Sequence, residues 1–339
     1  MYEQWIIALL VAPLVIAFES FALRGTKNRT VCTAFHITGL ILMLFFSVQV
    51  ISGVLEKGSI SAFNNWVYVD SLSAIFLGLI AVVGSLAGVY SIGYMNTELE
   101  EGHIDFKTYA HYHGFLHLFF FTMIVSVITN NLILMWVAIE ATTLSSAFLV
   151  GTYKQKTSLE AAWKYIIICS VGVAFGLYGT LLTFANANGV LADPSQAIFW
   201  SAVNQQATGL NPMLMYIAFA FVLIGFGTKC GLFPMHTWLS DAHSEAPSPV
   251  SAILSAVLLN CAMLVVLRYY TLVSKAVGAE FPQTLMLIFG LLSVLVAALF
   301  IIVQFDIKRM LAYSSIENMG LISFAFGLGG PIGVFAGLL

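Results

Sequence analysis

Residues 225–255 have the sequence GFGTKCGLFPMHTWLSDAHSEAPSPVSAILS, which places charged residues, histidines and prolines between two strongly apolar runs. Only 9% of the chain is charged, so such a concentration inside an apolar frame requires an explanation. Lys229 lies well inside an apolar run and Pro234 follows it, a pattern that indicates a charge beside a broken membrane helix. A charge at that depth is unfavourable in a bilayer and therefore predicts a functional site.

The composition predicts an all-α, polytopic membrane protein. Hydrophobic residues make up 60% of the chain, and the mean hydropathy is +0.95. Apolar windows of about twenty residues, the length that crosses a bilayer as a helix, recur throughout. The net charge of −3 argues against a nucleic-acid partner, which would require a concentrated basic face. The predicted spans are 5–23, 33–54, 71–94, 112–130, 131–151, 159–184, 213–233 with a continuation to about 242, 249–270, 283–304 and 310–328.

The two ends of the sequence also carry expectations. The run from Trp5 to Leu23 lacks a basic leader and a small-residue cleavage site, so we expect a retained helix rather than a signal peptide. After Gly330 another apolar segment begins that is too short to cross a bilayer. We therefore expect an eleventh span to begin there and the sequence to be the N-terminal part of something longer.

Basic residues predict the orientation. Nine of them fall in or beside the odd-numbered loops: Arg24, Lys27, Arg29, Lys107, Lys154, Lys156, Lys164, Lys308 and Arg309. The even-numbered loops hold three: Lys57, Arg268 and Lys275. Because cytoplasmic loops carry the excess of Lys and Arg, the odd loops are expected in the cytoplasm and the N-terminus outside.

Glu140 is the first charge that we expect to lie inside the membrane. It follows the polar pair Asn130 and Asn131 by about nine residues, which corresponds to a depth of roughly 13 Å. An isolated carboxylate there would be protonated or paired, because desolvation disfavours its charged form. Two interpretations remain: a proton-binding group, or a neutral acid that ties helices together through the hydroxyl-rich segment 142–146.

Lys229 is the second expected charge at membrane depth, and a carboxylate on a facing helix would make the two groups a tunable proton site. Gly225, Gly227 and Gly231 loosen the helix or permit close packing, and Pro234 removes a backbone donor. Backbone freed in this way is tolerated in a membrane only where it lines a hydrated cavity or is buried in protein. The alternative is a snorkelling lysine, although Lys229 has apolar turns on both sides.

Three further residues are candidates for the same path. Lys164 lies near the cytoplasmic end of its span, where it could snorkel or pair with Glu160 one turn earlier. His236 and His243, beside Asp241, are candidate proton-relay or helix-break residues.

No sequence pattern predicts a metal or a cofactor in this chain. His113 and His117 are four residues apart on one helical face, which suits a metal, but no second matching pair is present for a haem. We expect them to be interfacial or hydrogen-bonded. Four scattered cysteines (Cys32, Cys169, Cys230 and Cys261) form no CxxC pair and are expected to be buried thiols.

Three segments resemble a known family. WVAIEATTLSS, GFGTKCGLFPMHTWLSDAHSEAPSPVSAILSA and DIKRMLAYSSIENMG are similar to signatures of the antiporter-like proton-translocating subunits of respiratory complex I, multisubunit sodium/proton antiporters and membrane-bound hydrogenases. The resemblance runs from about residue 65 to the end. The segments IEATTLSSAFLVG and SLEAAWKYIIICSVGVAFGLYGT most resemble the branch of component F of hydrogenase 4, in the formate hydrogenlyase group.

The resemblance implies a fourteen-helix fold with two inverted five-helix repeats and a broken seventh helix. Under it, residues 1–110 form an N-terminal three-helix segment, 111–271 the first proton-channel repeat and 272–339 the start of the second. Glu140 and Lys229 match the family's input pair, and Lys164 a further relay member. Asn260 stands where many relatives carry a lysine, which weakens the expectation of active pumping.

We therefore expect a proton-translocating membrane subunit of a hydrogenase-type redox complex. Its proton path would contain Glu140, Lys229, Lys164, His236 and His243, with the helix break at Pro234. Nickel–iron and iron–sulfur centres are expected in partner subunits, and the expected location is a bacterial inner membrane. The alternatives are a subunit of a sodium/proton antiporter and a scaffold that conducts no ions.

Overall fold

The computed structural model describes residues 2–26 and 28–339 and has an almost entirely helical architecture. The helices are α1 Tyr2–Ala22, α2 Arg29–Lys57, α3 Ser71–Glu100, α4 Phe106–Ile128, α5 Leu132–Val150, α6 Lys156–Asn188, α7 Trp200–Gln205, α8 Pro212–Cys230, α9 Thr237–Glu245, α10 Ser248–Ile253, α11 Leu259–Val277, α12 Glu280–Ile301, α13 Ile307–Leu328 and α14 Gly330–Leu338. A π-helical turn, Leu254–Leu258, joins α10 to α11 into one continuous segment.

Among the described residues, nine helical segments are long and apolar enough to cross a membrane, by length and composition. They match the first nine predicted spans. The tenth predicted span, 310–328, forms α13 but is not among the nine. The all-α polytopic prediction is therefore confirmed, and the chain is a multi-pass membrane protein.

One small element departs from the all-helical prediction. The strands β1 Ser59–Ala62 and β2 Val67–Asp70 form an antiparallel hairpin, with Ser59 opposite Asp70. Its turn contains three non-glycine residues with positive φ, Phe63, Asn64 and Asn65. The two strands lie between the second and third predicted spans, where the sequence was not expected to form regular structure.

The chain divides into two compact units, and the first contains the N-terminal helices. It comprises the described part of residues 1–129 together with 141–166 and 245–261. Within it, glycines allow helices to approach closely: a Cβ at Gly114 would meet the ring of Phe21, and a Cβ at Gly39 would meet the ring of His117.

The second unit comprises residues 130–140, 167–244 and 262–339. Its helices α12 and α13 pack backbone to backbone, since a Cβ at Gly290 would fall 2.5 Å from the backbone nitrogen of Phe324. The residues that we expect to carry the main proton site, Glu140 and Lys229, both belong to this unit. The domain boundaries at 110 and 271 stay predictions.

Candidate functional site

The site begins at the C-terminal end of α8, which a glycine terminates. Gly231 adopts a left-handed conformation with φ of 76°, and its N–H donates to the carbonyl oxygen of Thr228. The N–H of Leu232 donates to the carbonyl oxygen of Gly227 at 2.9 Å. These two bonds are the Schellman motif, which favours glycine at this position. The helix therefore stops at Cys230, four residues before Pro234, and helical structure resumes at Thr237.

The predicted helix break is thus present between α8 and α9, and it contains Pro234. The bond between Phe233 and Pro234 is a cis peptide. The residue that ends α8, however, is Gly231. From the sequence, Gly231 was expected only to loosen the helix or to permit close packing, and not to end it.

Trp238 closes the broken end of α8. Its indole Nε1–H donates to the carbonyl oxygen of Thr228 at 2.9 Å, and its side chain is fully buried. The ammonium nitrogen of Lys229 lies 5.6 Å from the centroid of the same ring. Trp238 therefore both satisfies a terminal carbonyl group and provides a cation–π contact for the lysine.

Small residues bring α8 against α6. A Cβ at Gly225 would overlap the backbone of Gly176, and a Cβ at Gly172 would overlap the side chain of Thr228. Close backbone approach of this kind is typical of packed membrane helices. It places the last turn of α8, with Lys229, directly beside the middle of α6.

The first part of α5 is fixed in position by two polar side chains. The amide oxygen of Asn131 accepts from the backbone N–H groups of Ile133 and Leu134, which caps the helix start. One turn before Glu140, the indole N–H of Trp136 donates to the carbonyl oxygen of Val173 on α6 at 2.7 Å. The sequence positions of the Asn pair and of the helix start agree with the predicted boundary between the fourth and fifth spans.

Both predicted charges lie beside α6 in this packed region. Lys229 is completely buried, whereas Glu140 is partly exposed. The hydroxyl of Ser170 on α6 donates to Glu140 Oε1 at 2.5 Å. Among the described residues, Oε2 of Glu140 is buried without a hydrogen-bond partner. Lys229 lies within electrostatic range of both Glu140 and Cys169.

This arrangement can hold and exchange a proton. An ammonium and a carboxyl group can each lose or gain a proton without a change in covalent structure. Because both lie in a region of low dielectric constant, a change of charge on one strongly alters the proton affinity of the other. The free carboxyl oxygen of Glu140 leaves a position for a further hydrogen-bonding group such as water.

Lys164 has a different environment. Its ammonium nitrogen lies 2.8 Å from a carboxylate oxygen of Glu160, and the two side chains are 48% and 60% exposed. The pair has the i,i+4 spacing that the sequence analysis gave as an alternative to a relay role. Lys164 also belongs to the first compact unit, whereas Glu140 and Lys229 belong to the second.

The two histidines lie on either side of the start of α9. His236, in the break, is 6% exposed, and its Nδ1 atom is buried without a partner among the described residues. His243, on α9, is 4% exposed. Asp241 forms an ion pair of 3.0 Å with Arg309 on α13, which fixes α9 against that helix.

Asn260 lies at the start of α11, and its amide donates to the carbonyl oxygen of Ala256 at 2.8 Å. This bond lies within its own helical segment, at the π-helical turn. The Asn260 amide group therefore donates to a backbone carbonyl group of its own helical segment.

Sequence reasoning missed three side chains at the site: Ser170, Cys169 and Trp238. The first two are ordinary residues in an apolar helix, and only packing brings them to the charges. Trp238 was visible in the quoted motif but carried no predicted role. Within the described part of the chain, no group of three His, Cys, Asp or Glu residues is arranged to hold a metal ion.

The long loop between α6 and α8 contains the buried aromatic residues Phe199 and Trp200. Trp200, in the short helix α7, is only 6% exposed, and its indole N–H donates to the carbonyl oxygen of Arg268. Its ring also stacks on the Arg268 guanidinium, 4.1 Å from ring centroid to carbon. The aromatic residues are therefore buried in protein.

Comparison with known proteins gives two family matches. Residues 129–339 match the family described as NADH:quinone oxidoreductase/Mrp antiporter, transmembrane. Residues 61–104 match the N-terminal family of chain 5 of NADH-ubiquinone oxidoreductase, complex I.

Individual relatives are similar over most of this chain. It is 44% identical to a hydrogenase-4 component F homolog from Methylacidiphilum infernorum over 80% of its length. It is 28% identical to the Na(+)/H(+) antiporter subunit A1 from Staphylococcus aureus over 94% of its length. The chain spans only 57% and 39% of these two relatives.

A solved structure shares the fold. A chain of the membrane-bound sulfane sulfur reductase, an archaeal respiratory membrane complex, superimposes with a TM-score of 0.84 at 24% identity. The match covers 98% of this chain and 67% of that one. The family match extends over more than half of the sequence and includes the broken helix. The chain therefore belongs to the NADH:quinone oxidoreductase/Mrp antiporter family of membrane subunits.

Proposed function

We propose that this chain is the antiporter-like subunit of a hydrogenase 4 or formate hydrogenlyase-type complex. It moves protons through a buried path that contains Glu140 and Lys229, while partner subunits carry out electron transfer. The similarity to a hydrogenase-4 component F homolog supports this choice within the family. In this proposal the nickel–iron and iron–sulfur centres belong to the partner subunits.

One observation carries the proposal: a completely buried lysine at the end of a broken helix, within electrostatic range of a carboxyl group. A lysine placed there only for packing would be unfavourable, because burial of a charged group is costly. The cation–π contact with Trp238 and the hydrogen bond from Ser170 to Glu140 hold both groups at fixed positions. Fixed groups with adjustable charge are what proton transfer requires.

The remaining parts of the path follow the same proposal. His236 and His243 connect the site to the cytoplasmic side, and Lys164 acts at the cytoplasmic end of α6. Asn260 cannot bind and release a proton near neutral pH. In this proposal, water molecules therefore carry the proton onward from Lys229. The proposed location is a bacterial inner membrane with the N-terminus in the periplasm, as the basic residues predict.

Substitution of Lys229 tests the proton path. Lys229→Met, in the assembled complex, keeps the length of the side chain and removes its charge. We expect proton movement coupled to hydrogenase turnover to fall about tenfold or more, since a positioned acid–base group contributes at least that much. Turnover measured with an artificial electron acceptor should be unchanged.

The matched control is Lys107→Met, at an exposed lysine near the start of α4. It removes the same charge outside the site and should leave proton movement unchanged. Normal coupled proton movement in Lys229→Met vesicles, with turnover intact, contradicts the proposed path.

A sodium/proton antiporter is the second candidate, because the Na(+)/H(+) antiporter subunit A1 is similar over 94% of this chain. It predicts sodium exchange driven by a pH difference in vesicles that contain no electron donor. If such vesicles exchange sodium and no redox subunits purify with the chain, the antiporter function replaces the hydrogenase function. A scaffold that conducts no ions predicts unchanged flux in both Glu140→Ala and Lys229→Ala.

A further inference from the structure

A second group of buried titratable side chains lies in the first compact unit and contains none of the path residues proposed above. His36 on α2 meets His113 and His117 on α4, and the exposed fractions of the three side chains are 0%, 0% and 1%. The ring centroid of His36 lies 4.4 Å from that of His113 and 5.0 Å from that of His117. These three residues are here called the histidine cluster.

The hydrogen bonds fix the tautomers of two of its rings. His36 Nε2 lies 3.0 Å from the carbonyl oxygen of Gly88, which can only accept, so this nitrogen carries the proton. The other nitrogen of neutral His36, Nδ1, must then accept from His117 Nε2 at 2.9 Å. His117 Nδ1 is consequently a bare acceptor.

Three ring nitrogens of the cluster are buried without a partner among the described residues. They are His117 Nδ1 and both nitrogens of His113. Buried polar atoms in proteins are nearly always hydrogen-bonded, and internal water molecules satisfy those that protein groups do not. Helix packing alone does not explain three such atoms in one place.

A line of polar groups extends from the histidine cluster toward the loop between α3 and α4. Tyr109 stands one turn before His113 on α4, with ring centroids 4.7 Å apart. Its hydroxyl donates to Asn96 Oδ1 and lies 3.0 Å from the hydroxyl of Thr33. Residues 109, 113 and 117 share one helical face and span roughly 12 Å along the axis. The line starts close to the loop between α3 and α4.

We propose that the histidine cluster is a hydrated proton relay within α2, α3 and α4, separate from the pair Glu140 and Lys229. A proton that binds His117 Nδ1 makes that ring cationic. Its Nε2 proton then crosses the 2.9 Å hydrogen bond to His36 Nδ1, which moves the charge to His36. Release of the His36 Nε2 proton to a water molecule beside Ser91, whose hydroxyl is 3.5 Å away, completes the step. One proton enters, one leaves, and both tautomers are reversed.

The histidine cluster is surrounded by α1, α2, α3 and α4. On α2 the nearby titratable group is Cys32, on α4 they are Tyr109 and Tyr112, and on α3 the contacts are the Ser91 hydroxyl and the Gly88 carbonyl. The α1 side presents Ile16, beside the position of Gly39. Among the described residues, no carboxylate forms a hydrogen bond with the three rings, so a proton is not held there by a fixed negative charge. This suits passage of a proton rather than storage.

Glutamine substitutions in the assembled complex, reconstituted in proteoliposomes, test the relay. His117→Gln keeps an N–H donor toward His36 but cannot take up a proton, and His36→Gln keeps a donor toward the Gly88 carbonyl but cannot accept and release the proton. We expect proton flux to fall about fivefold or more in both, with subunit content and unfolding temperature unchanged. His111→Gln is the control, because His111 lies on the same helix and its ring contacts Phe21 and Phe115 instead.

Unchanged flux in both cluster variants, or a loss that only follows a loss of assembled complex, overturns the proposal. If the variants do not assemble, nitrogen-15 NMR spectra of the wild-type complex with labelled histidines test the relay instead. The relay predicts Nε2–H tautomers at His36 and His117 and ring protons that exchange readily with bulk water. Ring protons that stay protected for hours overturn it.

This inference rests on the proposed function only in requiring a proton flux to measure. Its failure is distinguishable from failure of that function. Loss of flux in Lys229→Met with normal flux in the cluster variants refutes the relay alone. Normal flux in Lys229→Met refutes the path through Glu140 and Lys229, whatever the cluster variants do.

Discussion

The unequal burial of Glu140 and Lys229 predicts that removing either charge destabilises the protein by a different amount. Lys229 is completely enclosed, whereas Glu140 is partly exposed and accepts a hydrogen bond from Ser170. Glu140→Gln leaves an enclosed ammonium group without its carboxylate. Such a change costs about 3–5 kcal/mol for a fully buried pair. Because lysine can relieve part of this by releasing its proton, we expect about 2–4 kcal/mol here.

Lys229→Met should be less destabilising. It leaves the Ser170 hydroxyl bonded to one oxygen of the Glu140 carboxyl group, while the second oxygen stays buried. Methionine also fits the apolar surroundings of the enclosed site. Because the hydrogen bond from Ser170 compensates part of the uncompensated carboxylate, we expect a loss of about 1–2 kcal/mol.

The double variant Glu140→Gln/Lys229→Met removes both charges and should be close to wild type, within about 1 kcal/mol. The corresponding coupling energy is about 2 kcal/mol or more, which is typical of residues that interact directly. The measurement is the free energy of unfolding of the four proteins in denaturing mixed micelles. Additive losses, or a larger loss in Lys229→Met than in Glu140→Gln, would refute this reasoning.

Three further outcomes are expected. Gly225→Ala, whose Cβ would overlap the backbone of α6, should lower the unfolding free energy by about 1–3 kcal/mol. Gly93→Ala, at an exposed position inside α3 with nothing within 4 Å, should not lower it and is expected to raise it by up to about 1 kcal/mol in the same denaturation assay. Trp238→Phe removes one of the two N–H groups that donate to the Thr228 carbonyl at the end of α8 and should cost about 1 kcal/mol, seen as a lower denaturation midpoint. The hydrogen bonds from Thr108 hold the pKa of the capping carboxyl of Asp105 below its usual value, so its contribution to stability is present above about pH 3.9 and is lost as the pH falls through the folded-state pKa. Asp105→Asn should remove this dependence from the pH profile of amide exchange at the start of α4, and an unchanged profile would contradict it.

The sequence determined the fold class and the main family assignment. Runs of about twenty apolar residues predict helices that cross a bilayer. In a helix, the backbone N–H and C=O groups form their hydrogen bonds within the segment itself, and lipid offers no other partners. Local chemistry also predicted helix boundaries, such as the start of α5 at the polar pair before Leu132. The rarity of charge made Glu140 and Lys229 visible as candidates without any structure.

The tertiary structure decided which groups accompany those charges. Ser170 and Cys169 on α6 reach the site only because glycines allow α6 and α8 to approach, and no local pattern marks them. Lys164 was a relay candidate by sequence, yet in the folded chain its ammonium is paired with Glu160 on an exposed surface. Both outcomes depend on helix rotation, which hydropathy does not specify.

The histidine cluster shows the same division most clearly. The spacing of His113 and His117 was evident in the sequence, and it placed both rings on one face of a helix. Their partner, His36, is 81 residues from His117 and lies in an ordinary apolar span. Periodicity along one helix reports which residues share a face, whereas the residues that meet that face are fixed by packing between distant segments. That packing, and not the motif, turned two histidines into a site.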